Sequence, residues 1–224
     1  YKGSKELLFQ RLNCNIPSGS IVVIHGYNSS GKSSLCKAFL GLIDPLKGNL
    51  LYDGIDIKKI NIEWLRTQIC YLPQEIDLFN LTIKENILMN LKSNDLEASQ
   101  NKFDRVVLKT INMVGLNNYI NNTKDGINKE ITDNGKNLPV GIKKRIGLAR
   151  AIINDAKIII LDEPTESLDS QGIKCLFSIL NNSIKLRKTI IIASHNPEII
   201  KNANIIIDLS NKPIPRIGVR KKKS

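Results

Sequence analysis

Four short hydrophobic runs rich in β-branched residues stand out along this chain, and each continues without polar alternation. They lie at residues 21–24, 158–161, 190–193 and 205–207. Uninterrupted apolar strands of this kind are typical of a sheet buried on both faces, which is usually parallel and covered by helices. The pattern therefore predicts an α/β fold for both ends of the chain.

The middle of the chain has a different pattern of hydrophobic and polar positions. Between residues 83 and 122 the sequence is polar and rich in Asn and Lys. Within it, apolar residues recur at helical spacing at Phe103, Val106, Val107, Ile111 and Val114. This spacing predicts a helical insertion between the two α/β parts.

Two further segments carry local signals. Residues 48–57 alternate around a glycine, which predicts a β-hairpin. Residues 216–223 are basic and follow two prolines, and this composition predicts a frayed, solvated tail.

The composition is that of an ordinary globular protein and excludes few functions. Of the 224 residues, 42% are hydrophobic and 24% are charged, which argues against a wholly disordered chain. The net charge of +12 permits nucleotides, nucleic acid or an anionic membrane as partners and does not choose among them. The four cysteines form no CxxC pair, so a zinc site or a disulfide framework is not favoured.

The first candidate for chemistry is the segment GYNSSGKS at residues 26–33, which fits the phosphate-loop pattern G-x-x-x-x-G-K-[ST]. It follows the first apolar run and precedes an apparent helix at 34–42, which is the context this pattern needs. Backbone amides of such a loop bind phosphate oxygens, its lysine reaches the β- and γ-phosphates, and its last hydroxyl binds Mg²⁺. The expected ATP-binding residues are Gly26, Tyr27, Asn28, Ser29, Ser30, Gly31, Lys32, Ser33 and Ser34.

Two acids follow the second apolar run directly. Asp162 and Glu163 would lie at the carboxyl edge of a parallel sheet, where ligands bind. Asp162 suits the binding of Mg²⁺, directly or through water. Glu163 suits the activation of an attacking water, a role that contributes about 10²–10⁴-fold. Beside a phosphate loop, this pair predicts hydrolysis of a nucleoside triphosphate.

Together with further segments in the same order, these motifs resemble the nucleotide-binding domain of ABC ATPases, most closely the exporter type. The phosphate loop resembles Walker A and residues 160–165 (ILDEPT) resemble Walker B. The other matching segments are Asp44-Pro45 with Gly48 and Tyr52-Asp53-Gly54, Leu65-Arg66, the Q-loop Tyr71-Leu72-Pro73-Gln74, Leu78-Phe79 with residues 82–87 (TIKENI), the signature and its helix at 138–152, the D-loop Ser167-Leu168-Asp169, and Ala193-Ser194-His195.

The resemblance implies roles for residues whose chemistry the local sequence does not define. Gln74 would contact Mg²⁺ or the attacking water and sense a transport domain, His195 would contact the γ-phosphate, and Tyr1 would stack on adenine. The cofactors implied are ATP and Mg²⁺. The implied catalytic residues are Glu163, His195, Gln74 and Lys32, and the implied metal ligands are Ser33, Gln74 and Asp162.

The resemblance also implies an architecture and partners. We expect a P-loop NTPase (RecA-like) core at 1–74 and 149–224, with a small antiparallel β subdomain, and a helical subdomain at 75–148. A second such domain would share two ATPs with this one, each signature facing the other's Walker A. A transmembrane transport domain, contacted around residues 74–79, would precede this chain in a longer polypeptide at the cytoplasmic face of a membrane. Nucleic acid is not expected as a partner.

The chain departs from the family pattern in two segments, the signature and the phosphate loop. Where the family has LSGGQ, this chain has Leu138, Pro139, Val140, Gly141 and Ile142, so the serine hydroxyl that would face the partner's γ-phosphate is missing. The signature serves either a degenerate site with a different partner or a subfamily that tolerates this sequence. Ser29 stands where many members have Gly, and a backbone with φ > 0 there would cost about 1–2 kcal/mol.

Two other functions compete with that of an exporter ATPase. A soluble ABC ATPase acting on nucleic acid or ribosomes is supported by the net charge of +12. A regulatory module that binds nucleotide without useful hydrolysis is supported by the altered signature, whereas the intact Glu163 opposes it.

Overall fold

The computed structural model describes residues 7–91 and 100–220, with side chains in the second range from Phe103 onward. The strands are β1 (Ile21–His25), β2 (Leu51–Tyr52), β3 (Ile55–Asp56), β4 (Ile69–Leu72), β5 (Ile158–Asp162), β6 (Thr189–Ala193), β7 (Ile205–Asp208) and β8 (Arg216–Val219). The α-helices are α1 (Lys32–Phe39), α2 (Ile62–Thr67), α3 (Ile83–Leu88), α4 (Gln100–Met113), α5 (Asn117–Asn121), α6 (Val140–Ile152), α7 (Ser170–Lys185) and α8 (Pro197–Lys201).

A six-stranded sheet in the order β4-β5-β6-β1-β7-β8 forms the centre of the fold. Its first five strands are parallel, and β8 runs antiparallel to β7. The four apolar runs of the sequence are β1, β5, β6 and β7, so the predicted α/β class with a mostly parallel sheet is confirmed. Residues 69–72 form a fifth parallel strand that the pattern did not single out.

Helices cover both faces of this sheet, which explains the continuous hydrophobicity of its strands. Successive residues of β1 point to opposite sides: Val22 and Ile24 pack with α1, and Val23 lies in the core on the other face, to which α7 also contributes. Burial on both faces fixes the sheet as a rigid platform. The loops that leave the carboxyl ends of β4, β5, β6 and β1 therefore emerge side by side at one edge.

The predicted hairpin is present as β2 and β3, joined by a two-residue turn. Asp53 (φ 49°) and Gly54 (φ 80°) both adopt the left-handed conformation that a tight hairpin turn requires. The hydroxyl of Tyr52 donates to the carbonyl of Phe39 at 2.6 Å, which attaches the hairpin to the end of α1.

The prediction of a frayed tail is wrong for residues 216–219, which form β8. Its side chains are exposed, but the strand pairs antiparallel with β7 through its main chain, so burial was not needed to form it. Arg220 continues the order, because its guanidinium donates to the carbonyls of Ile200 and Lys201 at the end of α8, a favourable place for a cation. Residues 221–224 lie outside the described residues.

The predicted helical insertion is confirmed over the described residues, as α3, α4 and α5. Val107, Ile111 and Val114 are buried, as their spacing indicated, whereas Phe103 and Val106 are half-buried. Residues 92–99 of the insertion lie outside the described residues. The expected boundary between residues 148 and 149 falls inside α6, a continuous helix.

The segment that joins β4 to α3 is held by the buried side chain of Asn86. Its amide receives a hydrogen bond from the amide of Phe79 at 2.9 Å and donates to the carbonyls of Phe79 and Thr82. Arg150 of α6 donates to the Asn86 amide oxygen at 2.7 Å and to the carbonyl of Asp77 at 2.9 Å. The segment 74–82 is therefore fixed to α6 rather than hanging free.

Among the helices of residues 7–91 and 100–220, none combines the length and hydrophobicity needed to cross a bilayer.

Candidate active site

The phosphate loop leaves the carboxyl end of β1 and leads directly into α1, as predicted, although the helix begins at Lys32 rather than at residue 34. Gly26 has no room for a side chain, because a Cβ atom there would lie 2.5 Å from Ser30 Oγ. Gly31 (φ 105°) caps the helix in a left-handed conformation. Tyr27, Asn28 and Ser29 are exposed along the loop, Ser30 is buried, and Ser33 and Ser34 are half-buried in the first turn of α1.

Ser29 adopts φ 63°, so the positive φ considered from the sequence is present. A left-handed conformation costs an L-residue with a side chain about 1–2 kcal/mol, part of which Gly would lose again as chain entropy. We expect Ser29→Gly to raise the free energy of unfolding by up to about 1 kcal/mol, measured by urea denaturation. The matched control is Ser178→Gly, exposed in α7, which should lower it by about 0.5 kcal/mol. Equal effects of the two changes would contradict the strain at Ser29.

Lys32 lies in the interior of the loop. Its ammonium donates to the carbonyl of Gly26 at 3.0 Å and to that of Tyr27 at 3.3 Å. It also lies 3.4 Å from Glu163 Oε1, and both side chains are buried. The loop thus holds its one ammonium group on its own carbonyls and beside Glu163, in the part of the loop where a phosphate is expected to bind.

Glu163 is the most constrained acid of the site. Its amide donates to the carbonyl of Ala193 at 2.9 Å, which extends the pairing of β5 with β6, and its φ of 43° turns the chain sharply at that point. The carboxylate lies between Lys32 and His195, whose Nδ1 is 3.1 Å from Glu163 Oε2. His195 follows β6 and has a side chain that is 63% exposed. Lys32, Glu163 and His195, predicted from three distant motifs, therefore meet.

Asp162 and Ser33 form a second cluster at the same edge. Burial raises the pKa of Asp162, a hydrogen bond from the Ser33 side chain opposes that rise, and Glu163 adds to it. The Asp162 Oδ1 atom is buried and has no hydrogen-bond partner within the described part of the chain. A buried carboxylate oxygen without a partner is costly unless a cation binds it. The donor set of hydroxyl and carboxylate oxygens therefore fits Mg²⁺.

Comparison with known proteins agrees with this geometry. The family model for ABC transporters matches residues 9–166. The chain belongs to the ABC transporter family. It is thus an ATP-binding domain of the ABC type, and such domains hydrolyse ATP.

The relatives are much longer than this ABC domain. It is 33% identical to multidrug resistance protein pgp-1 of Caenorhabditis elegans over 94% of the chain, but that match covers 15% of the relative. It is 31% identical to ATP-binding cassette sub-family B member 5 of Homo sapiens over 94% of the chain and 16% of the relative. Among solved structures, a bacterial Atm1-family ABC exporter with ATP bound superposes with a TM-score of 0.85 at 25% identity, over 95% of this chain and 36% of that one.

Gln74 of the Q-loop follows β4 and is exposed. Its side-chain Nε2 donates to Glu166 Oε2 at 3.0 Å, and its main-chain carbonyl accepts from the Lys144 ammonium at 2.9 Å. The side-chain amide of Gln74 is therefore hydrogen-bonded to Glu166, which lies three residues after Glu163. Tyr1, the expected adenine platform, lies outside the described residues.

The altered signature lies at the start of α6. Leu138 is buried, Pro139 occupies the N-cap with no side-chain cap, and Val140 is 66% exposed. The helix forms despite the proline, as expected. At the N-cap position no main-chain N–H is needed for a helical hydrogen bond, and the Pro139 carbonyl accepts from the amide of Lys143 at 3.0 Å. Gly141 is close to the D-loop, since a Cβ atom there would lie 3.1 Å from the carbonyl of Ser167.

Asp169 of the D-loop links α7 to α6. It caps α7 by accepting from the amide of Gly172 at 2.8 Å, and it pairs with the buried guanidinium of Arg145. The Gly172 amide is the largest cause that lowers the pKa of Asp169, followed by Arg145. Through this pair, the helix that begins at the signature is fixed to the loop that follows Walker B.

Replacing Asp169 should weaken the fold. Asp169→Ala removes the cap of α7 and leaves Arg145 without its acid, and we expect a loss of about 2 kcal/mol in the free energy of unfolding. Asp169→Asn keeps the cap, since Asn caps as well as Asp, and should cost less. Urea denaturation of both variants checks the order. Identical losses would mean that the cap contributes nothing, because only Asp169→Ala removes it, and an unchanged stability of Asp169→Asn would mean that the charge paired with Arg145 contributes nothing.

Three residues of the site were not predicted from the sequence. Glu166 contacts a predicted residue and belongs to none of the quoted motifs, whereas Lys144 and Arg145 lie in the quoted signature helix at 138–152 but were given no role there. Glu166 could have been noticed as a third acid close to Asp162 and Glu163. The two cations lie on a basic helix whose buried face cannot be read from charge, because here the ammonium and guanidinium groups are themselves buried.

Proposed function

We propose that this chain is the ATP-hydrolysing domain of an exporter, and that it closes with a second ABC ATPase domain around two Mg-ATP to drive transport across a membrane. The observation that carries the proposal is the Glu163 carboxylate held between Lys32 at 3.4 Å and His195 at 3.1 Å, beside the phosphate loop. The exporter and multidrug-resistance names of the similar proteins support the direction of transport.

The residues divide the work of phosphoryl transfer, which consists mainly of positioning and charge stabilisation. When ATP binds, the Lys32 ammonium would leave the carbonyls of Gly26 and Tyr27 and donate to the β- and γ-phosphate oxygens instead. Glu163 would orient the attacking water and accept its proton. His195 would contact the γ-phosphate from the exposed side.

Ser33, Asp162 and Gln74 would hold Mg²⁺. The ion supplies positive charge where the β- and γ-phosphate oxygens become more negative. The buried Asp162 Oδ1 atom supports this assignment, and the exposed side chain of Gln74 would turn its amide oxygen towards the ion while Lys144 holds its main chain.

Pairing with a second domain would use the start of α6 and the D-loop. Pro139 and Val140 are exposed there, Gly141 leaves room for close approach, and Asp169 is held beside them. A surface of this kind would contact the ATP bound to the partner domain. The parent of this chain pairs either two copies or two related domains.

The contact with a transport domain would involve residues 74–79 and the cleft beside them. Phe79 is 49% exposed and packs against the Arg150 guanidinium, 5.5 Å from its ring centre. A cleft of about 370 Å³ lies next to it and carries the carboxylates of Glu85, Glu130 and Asp133. On a chain with net charge +12, this acidic cleft suits a basic cytoplasmic loop. Loops of membrane proteins that are rich in Lys and Arg lie mainly on the cytoplasmic side, so we propose that the domain works at the cytoplasmic face of the membrane.

We propose that the two parts of the chain have different functions. A core at 1–74 and 149–224 would bind and hydrolyse the nucleotide, and the helical part at 75–148 would carry the signature and the contact with the transport domain. α6 spans the boundary and would transmit movement between the two parts.

A second candidate, a regulatory module that binds ATP without useful hydrolysis, is favoured by Pro139 and Val140 in the signature. Trapping with orthovanadate separates the two, because vanadate replaces the γ-phosphate only after hydrolysis. We expect radiolabelled nucleotide to stay with the wild-type chain after gel filtration when Mg²⁺, ATP and vanadate are present. Retention no higher than in a control with EDTA would leave only the regulatory module.

A further inference from the structure

Glu166 lies beside the catalytic acid but has no part in the chemistry described above. Its amide donates to the carbonyl of Glu163 at 3.2 Å, in a sharp turn bounded by the left-handed residues Glu163 (φ 43°) and Ser167 (φ 63°). Carboxylate oxygens of Glu163 and Glu166 and a ring nitrogen of His195 all lie within 4.8 Å of one another. The turn that presents Glu163 thus also fixes the position of Glu166.

Gln74 is held at two points by residues outside its own loop. Glu166 accepts from the side-chain Nε2 at 3.0 Å, and Lys144 of α6 donates to the main-chain carbonyl at 2.9 Å and to that of Pro73 at 3.4 Å. Lys144 is only 3% exposed. Burial lowers its pKa, while Glu166 is the first of the acids that oppose the change. The Q-loop is therefore tied both to the signature helix and to the turn after β5.

The chemistry of the amide gives the Glu166 contact a direction. A carboxylate can only accept hydrogen bonds, whereas a Gln side chain has one end that donates and one that accepts. Glu166 therefore selects the orientation in which Nε2 faces it and leaves Oε1 as the free end. Mg²⁺ binds oxygen and not an amide nitrogen.

We propose that Glu166 is a positioning residue that fixes the orientation of the Gln74 side-chain amide, so that its oxygen and not its nitrogen is available to Mg²⁺. Lys144 fixes the main chain of the same residue, so that only the side chain has to be oriented. The inference rests on the proposed function, because it takes Gln74 as a ligand of the Mg²⁺ that accompanies ATP.

The test is the enhancement of ATP binding by Mg²⁺, taken as the ratio of ATP affinity in Mg²⁺ to that in EDTA, with a fluorescent ATP analogue as the probe. Glu166→Ala should reduce this ratio about threefold to tenfold, the size of one hydrogen bond. Affinity in EDTA should not change. Glu166→Asp, which keeps the acceptor, should recover part of the loss. Glu63→Ala, which removes an exposed acid of α2 outside the site, should leave the ratio unchanged.

A double-mutant cycle separates orientation from plain negative charge near the metal. If Glu166 acts through Gln74, adding Glu166→Ala to Gln74→Ala has no further effect on the ratio. The same loss in both backgrounds would overturn the proposal and assign the effect to charge. A ratio unchanged by Glu166→Ala alone would overturn it as well.

Failure of this inference is distinct from failure of the proposed function. The ratio reports binding and needs no turnover, whereas vanadate trapping reports hydrolysis. A wild-type chain that traps nucleotide and shows no effect of Glu166→Ala would lose only the role assigned to Glu166.

Discussion

Glu163→Gln should reduce ATP hydrolysis by about 10²–10⁴-fold, the usual contribution of a general base. The substitution keeps the size of the side chain and removes its ability to accept a proton. The amide can still lie between Lys32 and His195, so the shape of the site is kept. ATP binding should persist, because the proposed phosphate contacts would come from Lys32 and the loop amides and not from Glu163.

Phosphate release and equilibrium binding of ATP, measured on the same preparations, check this pair of effects. Glu198→Gln is the matched control, since Glu198 is exposed in the first turn of α8 and lies outside the site. It should hydrolyse ATP at the wild-type rate. If wild-type and Glu163→Gln release phosphate at one common background rate, Glu163 does not activate the water.

Restoring the signature should raise turnover by about tenfold to a hundredfold. Pro139→Ser supplies the missing hydroxyl and Val140→Gly removes an exposed side chain where a partner domain would approach. A hydrogen bond to a charged phosphate contributes about 1.5–3 kcal/mol, which corresponds to this range of rates. The affinity of the chain for its own ATP should stay the same, because in the proposed pairing the signature would face the partner's nucleotide.

The double variant needs a control for stability. Ser is a better N-cap than Pro and should stabilise α6 by about 1 kcal/mol, so thermal unfolding is measured beside turnover. Pro139→Ser alone gives the same cap with Val140 still in place, and its rate should lie between those of wild type and the double variant. A rate that does not respond to either change would show that the signature does not limit turnover.

The sheet could be read from the sequence because its signal is strong and local. Ile and Val runs that are buried on both faces have no polar alternation, so β1, β5, β6 and β7 were recognisable one by one. The neighbours of each strand in the sheet were not recognisable, because pairing joins residues far apart in the chain, such as Val22 of β1 and Ile205 of β7. β8 was missed because it contains no hydrophobic run: its side chains are exposed, and the strand forms by main-chain pairing with β7.

The residues of the candidate site were likewise predictable one by one, whereas the contacts between them were not. Lys32, Asp162, Glu163 and His195 follow recognisable strands and loops, and the parallel order of the strands brings them together. The contacts between motifs were not predictable. Glu166 reaches Gln74 across 92 positions in the chain, and Arg145 reaches Asp169 from a helix face whose burial contradicts its charge.

The central claim, that this chain powers a membrane exporter, is tested most directly on the intact protein as cells produce it. Membranes from cells that produce this polypeptide are washed at alkaline pH, which strips peripheral proteins, and the chain is detected by an antibody. Retention in the membrane pellet is the predicted result, because a covalently joined transport domain would resist the wash. Complete release into the supernatant would contradict a covalently joined transport domain and leave two alternatives: a separate membrane subunit, or a soluble ABC ATPase whose basic surface would then be tested against nucleic acid.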